Sequence, residues 1–283
     1  MDVLIIGGSR FVGPYLVRRL LKNNHRVSLF NRGLISSEYK DVIFIKGDRN
    51  NGFSIKHKFD VVIDMCAYDG KQTEMAISQL DFKFFINIGT AASYKKTELF
   101  PLNETSSLGD WPLWGRYNKG KVDCERVLSK SGISFATIRP VYILGPHNYC
   151  NREYFIYSRI RQGISLVLPG NGQALVQFVF ARDVADCIAM IAERKEDGAF
   201  NCAGDDLITL RGLVEEMGEV VGREPHLQFN QKTDGQKFDE NEFPFANENL
   251  VCTNDKIKSL GIRFTPLLKG LKDDYVKHYS KTS

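Results

Sequence analysis

Short apolar runs at residues 3–6, 27–30, 42–45, 61–63 and 84–88 alternate with segments of helical period, among them 12–21 and 74–80. Strands apolar on both faces must be covered on both sides, and strands separated by helices run parallel to one another. Right-handed crossovers then lay helices over both faces, so the predicted fold class is α/β with a doubly wound parallel sheet. The pattern resumes with a helix at 119–129, a strand at 134–138, a helix at 184–193 and a strand at 199–202. Residues 145–175 and 203–283 are richer in Gly, Pro, Asn and single aromatics, with helices near 210–221 and 267–278, and read as a smaller C-terminal lobe.

Length and composition narrow the function. A chain of 283 residues with 43% hydrophobic and 25% charged positions buries a sizeable core, which excludes disorder, collagen and coiled coil. The formal charge of +4 comes without a block of five like charges, so there is no electrostatic footprint of a dedicated nucleic-acid protein. Six cysteines lie far apart, without a C-x-x-C or a Cys/His spacing suited to zinc; they read as reduced thiols, and no metal is expected. The opening residues lack the features of a signal peptide, and no apolar run approaches the ~18 residues of a membrane span, so the expectation is a cytoplasmic protein without a membrane partner.

The first strand runs directly into Gly7, Gly8, Ser9, Arg10, Phe11, Val12 and Gly13, which open the first helix. A glycine turn at that place brings backbone N–H groups against a pyrophosphate: Gly7 permits the turn, Gly8 or the backbone near Ser9 approaches the phosphate, and Gly13 lets helix and strand close up. An ordinary tight turn is the alternative. The second strand ends at Asn31-Arg32, where an NAD-specific Rossmann protein usually carries an acid on the ribose hydroxyls. Asn31 removes the repulsion that opposes a 2′-phosphate, and Arg32 and Arg10 can bind one, so NADP is favoured over NAD; otherwise both arginines are solvated surface charges. Asp48 follows the third strand, beside the adenine edge or as a helix cap. The expected division is a Rossmann-like dinucleotide part, 1–145 with 176–202 returning to it, and a substrate lobe, 146–175 and 203–283.

Tyr117 and Lys121 are four residues apart near the start of a predicted helix and so project from one face. A tyrosine hydroxyl, with a reference pKa of ~10, is a poor base at neutral pH, and a neighbouring ammonium stabilises its phenolate. Simple packing with a solvated lysine is the competing reading. Upstream, the strand at 84–88 leads into Thr90 at its carboxyl end, the side of an open α/β sheet on which ligands sit, with Ser93 as the competing hydroxyl. Residues 95–116 are too long for a plain connection and are expected to form a lid or substrate loop.

Glycine turn, Thr90, Tyr117 and Lys121 in this order resemble the extended short-chain dehydrogenase/reductases of the NAD-dependent epimerase/dehydratase group. The resemblance covers nearly the whole chain, through Gly47-Asp48-Arg49, Cys66-Ala67, Arg139-Pro140, Gly145-Pro146, Gly170-Asn171-Gly172 and Arg182-Asp183-Val184-Ala185. It implies Tyr117 as general acid/base, Lys121 as stabiliser of its phenolate and holder of the nicotinamide ribose, and Thr90 as orienter of the substrate oxygen. It also implies Arg49, Cys66 and Ala67 beside the cofactor, a small-molecule substrate, and subunit pairing into a homodimer through helices flanking the sheet. Three departures stand out. Arg10 replaces a family glycine, which with Asn31 looks like the branch that includes chloroplast stem-loop RNA-binding and isoflavone-reductase-like proteins. Ala91-Ala92 stand where sugar dehydratases carry Asp-Glu, and Val176-Gln177 where many relatives carry an arginine for a nucleotide-sugar diphosphate, a loss for which Arg152, Arg159 or Arg161 are the candidates to compensate. The leading expectation is an NADP-dependent oxidoreductase or epimerase of a secondary alcohol or ketone; the alternatives are an RNA-binding protein on a dinucleotide fold and an NADP sensor without turnover.

Overall fold

The computed structural model describes residues 1–34, 39–233 and 239–281. Its strands are β1 (Asp2–Ile6), β2 (Arg26–Asn31), β3 (Val42–Lys46), β4 (Lys58–Asp64), β5 (Asp81–Ile88), β6 (Phe135–Pro140), β7 (Tyr142–Leu144), β8 (Leu166–Pro169), β9 (Leu175–Phe180), β10 (Gly198–Cys202), β11 (Leu207–Thr209) and β12 (Leu227–Asn230). The helices are α1 (Val12–Lys22), α2 (Gly70–Gln79), α3 (Gly115–Ser131), α4 (Arg152–Gln162), α5 (Ala181–Arg194), α6 (Leu210–Val221), α7 (Asp255–Ser259) and α8 (Leu267–Lys277).

Seven strands form one parallel sheet in the order β10-β6-β5-β4-β1-β2-β3. Successive side chains of β1 point to opposite faces, and both faces are apolar. Val3 and Ile5 pack with Leu16, Val17 and Leu20 of α1 and Val184, Ile188 and Ile191 of α5. Leu4 and Ile6 face Ala76 of α2 and Leu128 of α3. This is the doubly wound fold read from the sequence. The chain builds outward from β1 to β3 and then returns to β4 on the other side of β1. The carboxyl ends of β1 and β4 therefore flank a topological switch point, where open α/β sheets leave a crevice.

The smaller lobe holds a three-stranded sheet, β11-β9-β7, a two-stranded one, β12-β8, and α4, α6, α7 and α8. Within 176–202, α5 packs on α1 and β10 joins the main sheet, while β9 pairs with β7 and β11 instead. Helix α4 is not evident from hydropathy because its buried stripe, Glu153, Ile156, Tyr157 and Ile160, opens with a carboxylate. Residues 95–116, expected to form a lid or substrate loop, are fastened to the fold at several points. Leu102 exchanges backbone hydrogen bonds with Val251 and Thr253, the Glu104 carboxylate accepts the Asn201 N–H at 2.9 Å, and Trp111 is fully buried. Beneath them runs a buried network in which Arg139 donates to Glu125 and to the Tyr94 hydroxyl, which donates to Asn201.

Candidate active site

The glycine turn owes its shape to what it lacks. Gly7 and Gly8 have φ of 89° and 75°, the left-handed region closed to most side chains. A Cβ on Gly13 would lie 2.0 Å from the carbonyl oxygen of Gly8, so only glycine lets α1 seat against the turn. Gly7 N–H donates to Phe30 O at 2.9 Å, fastening the turn to β2. Asn31 adds a second fastening, since its amide donates to Ser9 Oγ at 2.8 Å and its oxygen accepts the Gly33 N–H. Phe11, the capping residue before α1, also has a positive φ of 54° and meets Tyr149 edge to face with ring centroids 6.2 Å apart.

Above the turn lies a cleft of about 590 Å³ at the switch point. Gly7, Gly8, Ser9, Arg10, Phe11, Val12, Asn31, Arg32, Asp48, Arg49 and Cys66 all line it, as do Tyr68, Ile88 and Tyr149. A crevice of that size with a glycine cradle fits a dinucleotide. Gly13 and Ala67 stand behind the lining as packing residues, Ala67 fully buried. Arg10 and Arg32 are exposed and make no ion pair among the described residues. Asp48 caps the short turn after β3, accepting from Asn50 N at 2.9 Å.

Arg49 reaches inward. Its guanidinium donates to Asp64 at 2.6 Å and to the Gln72 carbonyl at 2.8 Å; burial opposes its charge, but Asp64 outweighs that and drives its pKa up. Its donors thus brace β4 against the start of α2 instead of reaching across the cleft. Burial, reinforced by Asp64, pushes the Cys66 thiol up, so it stays protonated at neutral pH.

The Tyr/Lys pair adjoins the same cleft. Lys121 is buried on α3, donates to the Ile88 carbonyl at 2.7 Å, and lies 5.9 Å from the centroid of the Tyr117 ring. Tyr117 itself is 42% exposed and open to a ligand. Thr90 caps the short turn after β5, accepting from Ala92 N at 3.2 Å, whereas Ser93 is fully buried. Two residues without a sequence signal of their own align these parts. Asn118, also fully buried, donates to Ala92 O at 2.6 Å and Gly109 O at 2.8 Å, locking α3 to the Thr90 turn. Tyr68 places its ring 5.4 Å from the Lys121 ammonium. Gly120 was the available clue: a helix-interior glycine signals close approach, and a Cβ there would sit 2.0 Å from Tyr68 O.

Val176-Gln177, the place where a family arginine was expected, is closed. Val176 is fully buried, and Gln177 is taken up by Gly204 O and Cys252 N. Arg152 lies over the Tyr142 and Phe245 rings and Arg159 over Phe155, while Arg161 donates to Ser280 O at 3.5 Å. Among the described residues no group of three or more His, Cys, Asp or Glu is placed to hold a metal ion, and no helix is long and apolar enough to cross a membrane.

Parallel sheet, switch-point cleft and glycine cradle define an α/β enzyme of the dinucleotide-dependent class. The profile of the NAD dependent epimerase/dehydratase family matches residues 3–83 and 73–203, and the chain belongs to that family, whose members are enzymes of the short-chain dehydrogenase/reductase type. It is 28% identical to the chloroplast stem-loop binding protein of 41 kDa b of Arabidopsis thaliana, over 96% of this chain and 78% of that one. Solved structures share the fold: a UDP-N-acetylglucosamine 4-epimerase from Methanobrevibacter ruminantium has a TM-score of 0.83 at 17% identity, covering 99% of each chain. The UDP-glucose 4-epimerase of Thermotoga maritima has a TM-score of 0.78 at 20% identity, again over 99% of each chain.

Proposed function

We propose that the protein is an NADP-dependent oxidoreductase or epimerase acting on a secondary alcohol or ketone, a class that includes sugar-like compounds. The observation that carries this is the position of Lys121: its ammonium is held by Ile88 and Tyr68, both lining the glycine-turn cleft, while facing the exposed Tyr117 ring. The N–H groups of the turn and of the first turn of α1 would hold a pyrophosphate, with Asn31, Arg10 and Arg32 at the ribose end, where two arginines and no acid favour a 2′-phosphate. Bound there, the dinucleotide supplies hydride chemistry. The chain's own residues handle protons: the Tyr117 hydroxyl gives a proton to, or takes one from, the substrate oxygen, Lys121 stabilises the phenolate and holds a ribose, and Thr90 orients that oxygen. In this reading the lobe expected at 146–175 and 203–283 is the substrate side, and the burial of Val176 supports a substrate without a nucleotide diphosphate.

Titration with NADPH and NADH, together with mass spectrometry of small molecules carried through purification, tests the reading. NADPH should bind more tightly, and Tyr117→Phe should keep that affinity while losing turnover of the ligand identified. Undiminished turnover removes Tyr117 from catalysis, and tight binding without hydride exchange for any alcohol or carbonyl makes the protein a sensor. The relative's description as a stem-loop binding protein supports a second reading, RNA binding on this fold. Salt-dependent RNA binding with no response to dinucleotide would place that reading first.

A further inference from the structure

Lys121 is an unusual buried cation. It is 4% exposed, no carboxylate pairs with it among the described residues, and the one hydrogen bond its ammonium makes there goes to Ile88 O, although it carries three protons. Two aromatic rings flank the charge, with the Cys66 and Cys124 thiols also near it: the Tyr68 and Tyr117 ring centroids lie 5.4 and 5.9 Å from Nζ and 6.4 Å from each other. The faces of such rings carry negative potential and hold a cation in place of an anion.

Tyr68 is built for that place. It follows Cys66-Ala67 in the loop after β4, and its N–H donates to Gln72 Oε1 at 2.7 Å. Gln72 N in turn donates to the Asp69 carboxylate that caps α2. On the other side Gly120 lets α3 approach until only a hydrogen fits against the Tyr68 carbonyl. The residue is thus pinned at its backbone from α2 and α3 together, and α3 carries both Tyr117 and Lys121. Although Tyr68 is 55% exposed, partial desolvation on the side toward α3, and then Tyr117, push its phenol up, so it presents a neutral ring at physiological pH.

We propose that Tyr68 is a positioning residue whose ring face holds the Lys121 ammonium at the end of the cleft, bracketed with Tyr117. Its effect on Lys121 stands on geometry alone, whereas its consequence for ligand binding rests on the dinucleotide reading above. Leucine at position 68 keeps apolar bulk but loses the face, and phenylalanine keeps the face and loses only the hydroxyl.

The direct test is the rate at which formaldehyde and borohydride methylate Lys121, followed by peptide mass spectrometry in the intact protein, with the exposed Lys119 as internal control. Tyr68→Leu should speed labelling of Lys121 roughly three- to tenfold while leaving Lys119 unchanged, and Tyr68→Phe should behave as the parent. Equal rates in all three proteins, or Tyr68→Phe matching Tyr68→Leu, overturn the proposal. A second measurement titrates NADPH and ADP, which lacks the nicotinamide ribose. Tyr68→Leu should weaken NADPH by a similar factor and leave ADP unaffected; equal loss on both would mean that the cleft, not Lys121, was disturbed. If Lys121 labelling responds as expected but the parent binds no dinucleotide, the positioning role stands and the dinucleotide reading falls.

Discussion

Glu153→Gln is a stability experiment whose size follows from the structure. Glu153 lies on the inner face of α4, 3% exposed, and accepts the Gly145 N–H; the Tyr279 hydroxyl, which donates to Gly145 O at 2.9 Å, is beside it. Gly145 in turn faces the Phe11 ring of the glycine turn, so the carboxyl supports one wall of the cleft from behind. Burial pushes its pKa from 4.5 up to about 7, against a weaker opposing effect of the Gly145 N–H. Because the folded-state value lies above the unfolded one, the protonated group favours the fold fully below pH 4.5, and this contribution is lost as pH rises through about 7. A group with these two values costs about 1.4 kcal/mol at pH 5.5 and about 3.4 kcal/mol at pH 8. Glutamine does not titrate. The variant's stability relative to the parent should therefore rise by about 2 kcal/mol between those two pH values, whatever constant offset the amide's hydrogen bonding adds. Urea unfolding followed by far-ultraviolet circular dichroism at both pH values measures it. A parent-to-variant difference that stays the same at both would refute a carboxyl held neutral by burial.

Three further substitutions probe the site and its support. Arg32→Ala should weaken NADPH by about tenfold, the worth of one charge-assisted hydrogen bond, and leave NADH within about twofold; equal losses in a fluorescence titration would show a side chain that does not read the 2′-phosphate. Gly13→Ala forces a Cβ against the Gly8 carbonyl, so melting should report a loss of about 1–3 kcal/mol and dinucleotide binding should disappear; undiminished affinity would mean that the turn relaxes around the methyl group. Glu125→Gln leaves the Arg139 guanidinium buried without its counter-charge and should cost about 3–5 kcal/mol in chemical unfolding. A loss below about 1 kcal/mol would show that Tyr94 and the Glu104 carbonyl satisfy Arg139 by themselves.

The main sheet was legible because its inner strands are covered on both faces, which leaves continuous apolar runs such as residues 3–6 and 61–63 between helices of clear period, whereas the edge strand β3 carries the apolar run 42–45 with Ile43 and Phe44 exposed. In the small lobe the strands are short and their partners distant. β9 pairs with β7 and β11, and nothing in its own residues separates that choice from a place in the main sheet. Glu153 hides α4 in the same way, since a buried carboxylate breaks the stripe by which a helix is recognised. The length of 95–116 pointed to a lid or substrate loop, but not to its fastening by hydrogen bonds to Val251, Thr253 and Asn201, which come from segments more than 80 residues away.

What the sequence determined alone is local: a glycine turn at the end of a strand, because φ and the absence of Cβ belong to each residue, and Tyr117 with Lys121 on one face, because helical spacing fixes that. What only the tertiary structure decided is which groups spend their hydrogen bonds elsewhere. Arg49 is claimed by Asp64, Asp48 by a capped turn and Gln177 by two backbone groups, while Asn118 and Tyr68 take up the alignment of α3. A side chain's chemistry is written in its identity, but its free valences depend on neighbours brought together from tens of residues away by burial of the two faces of the sheet.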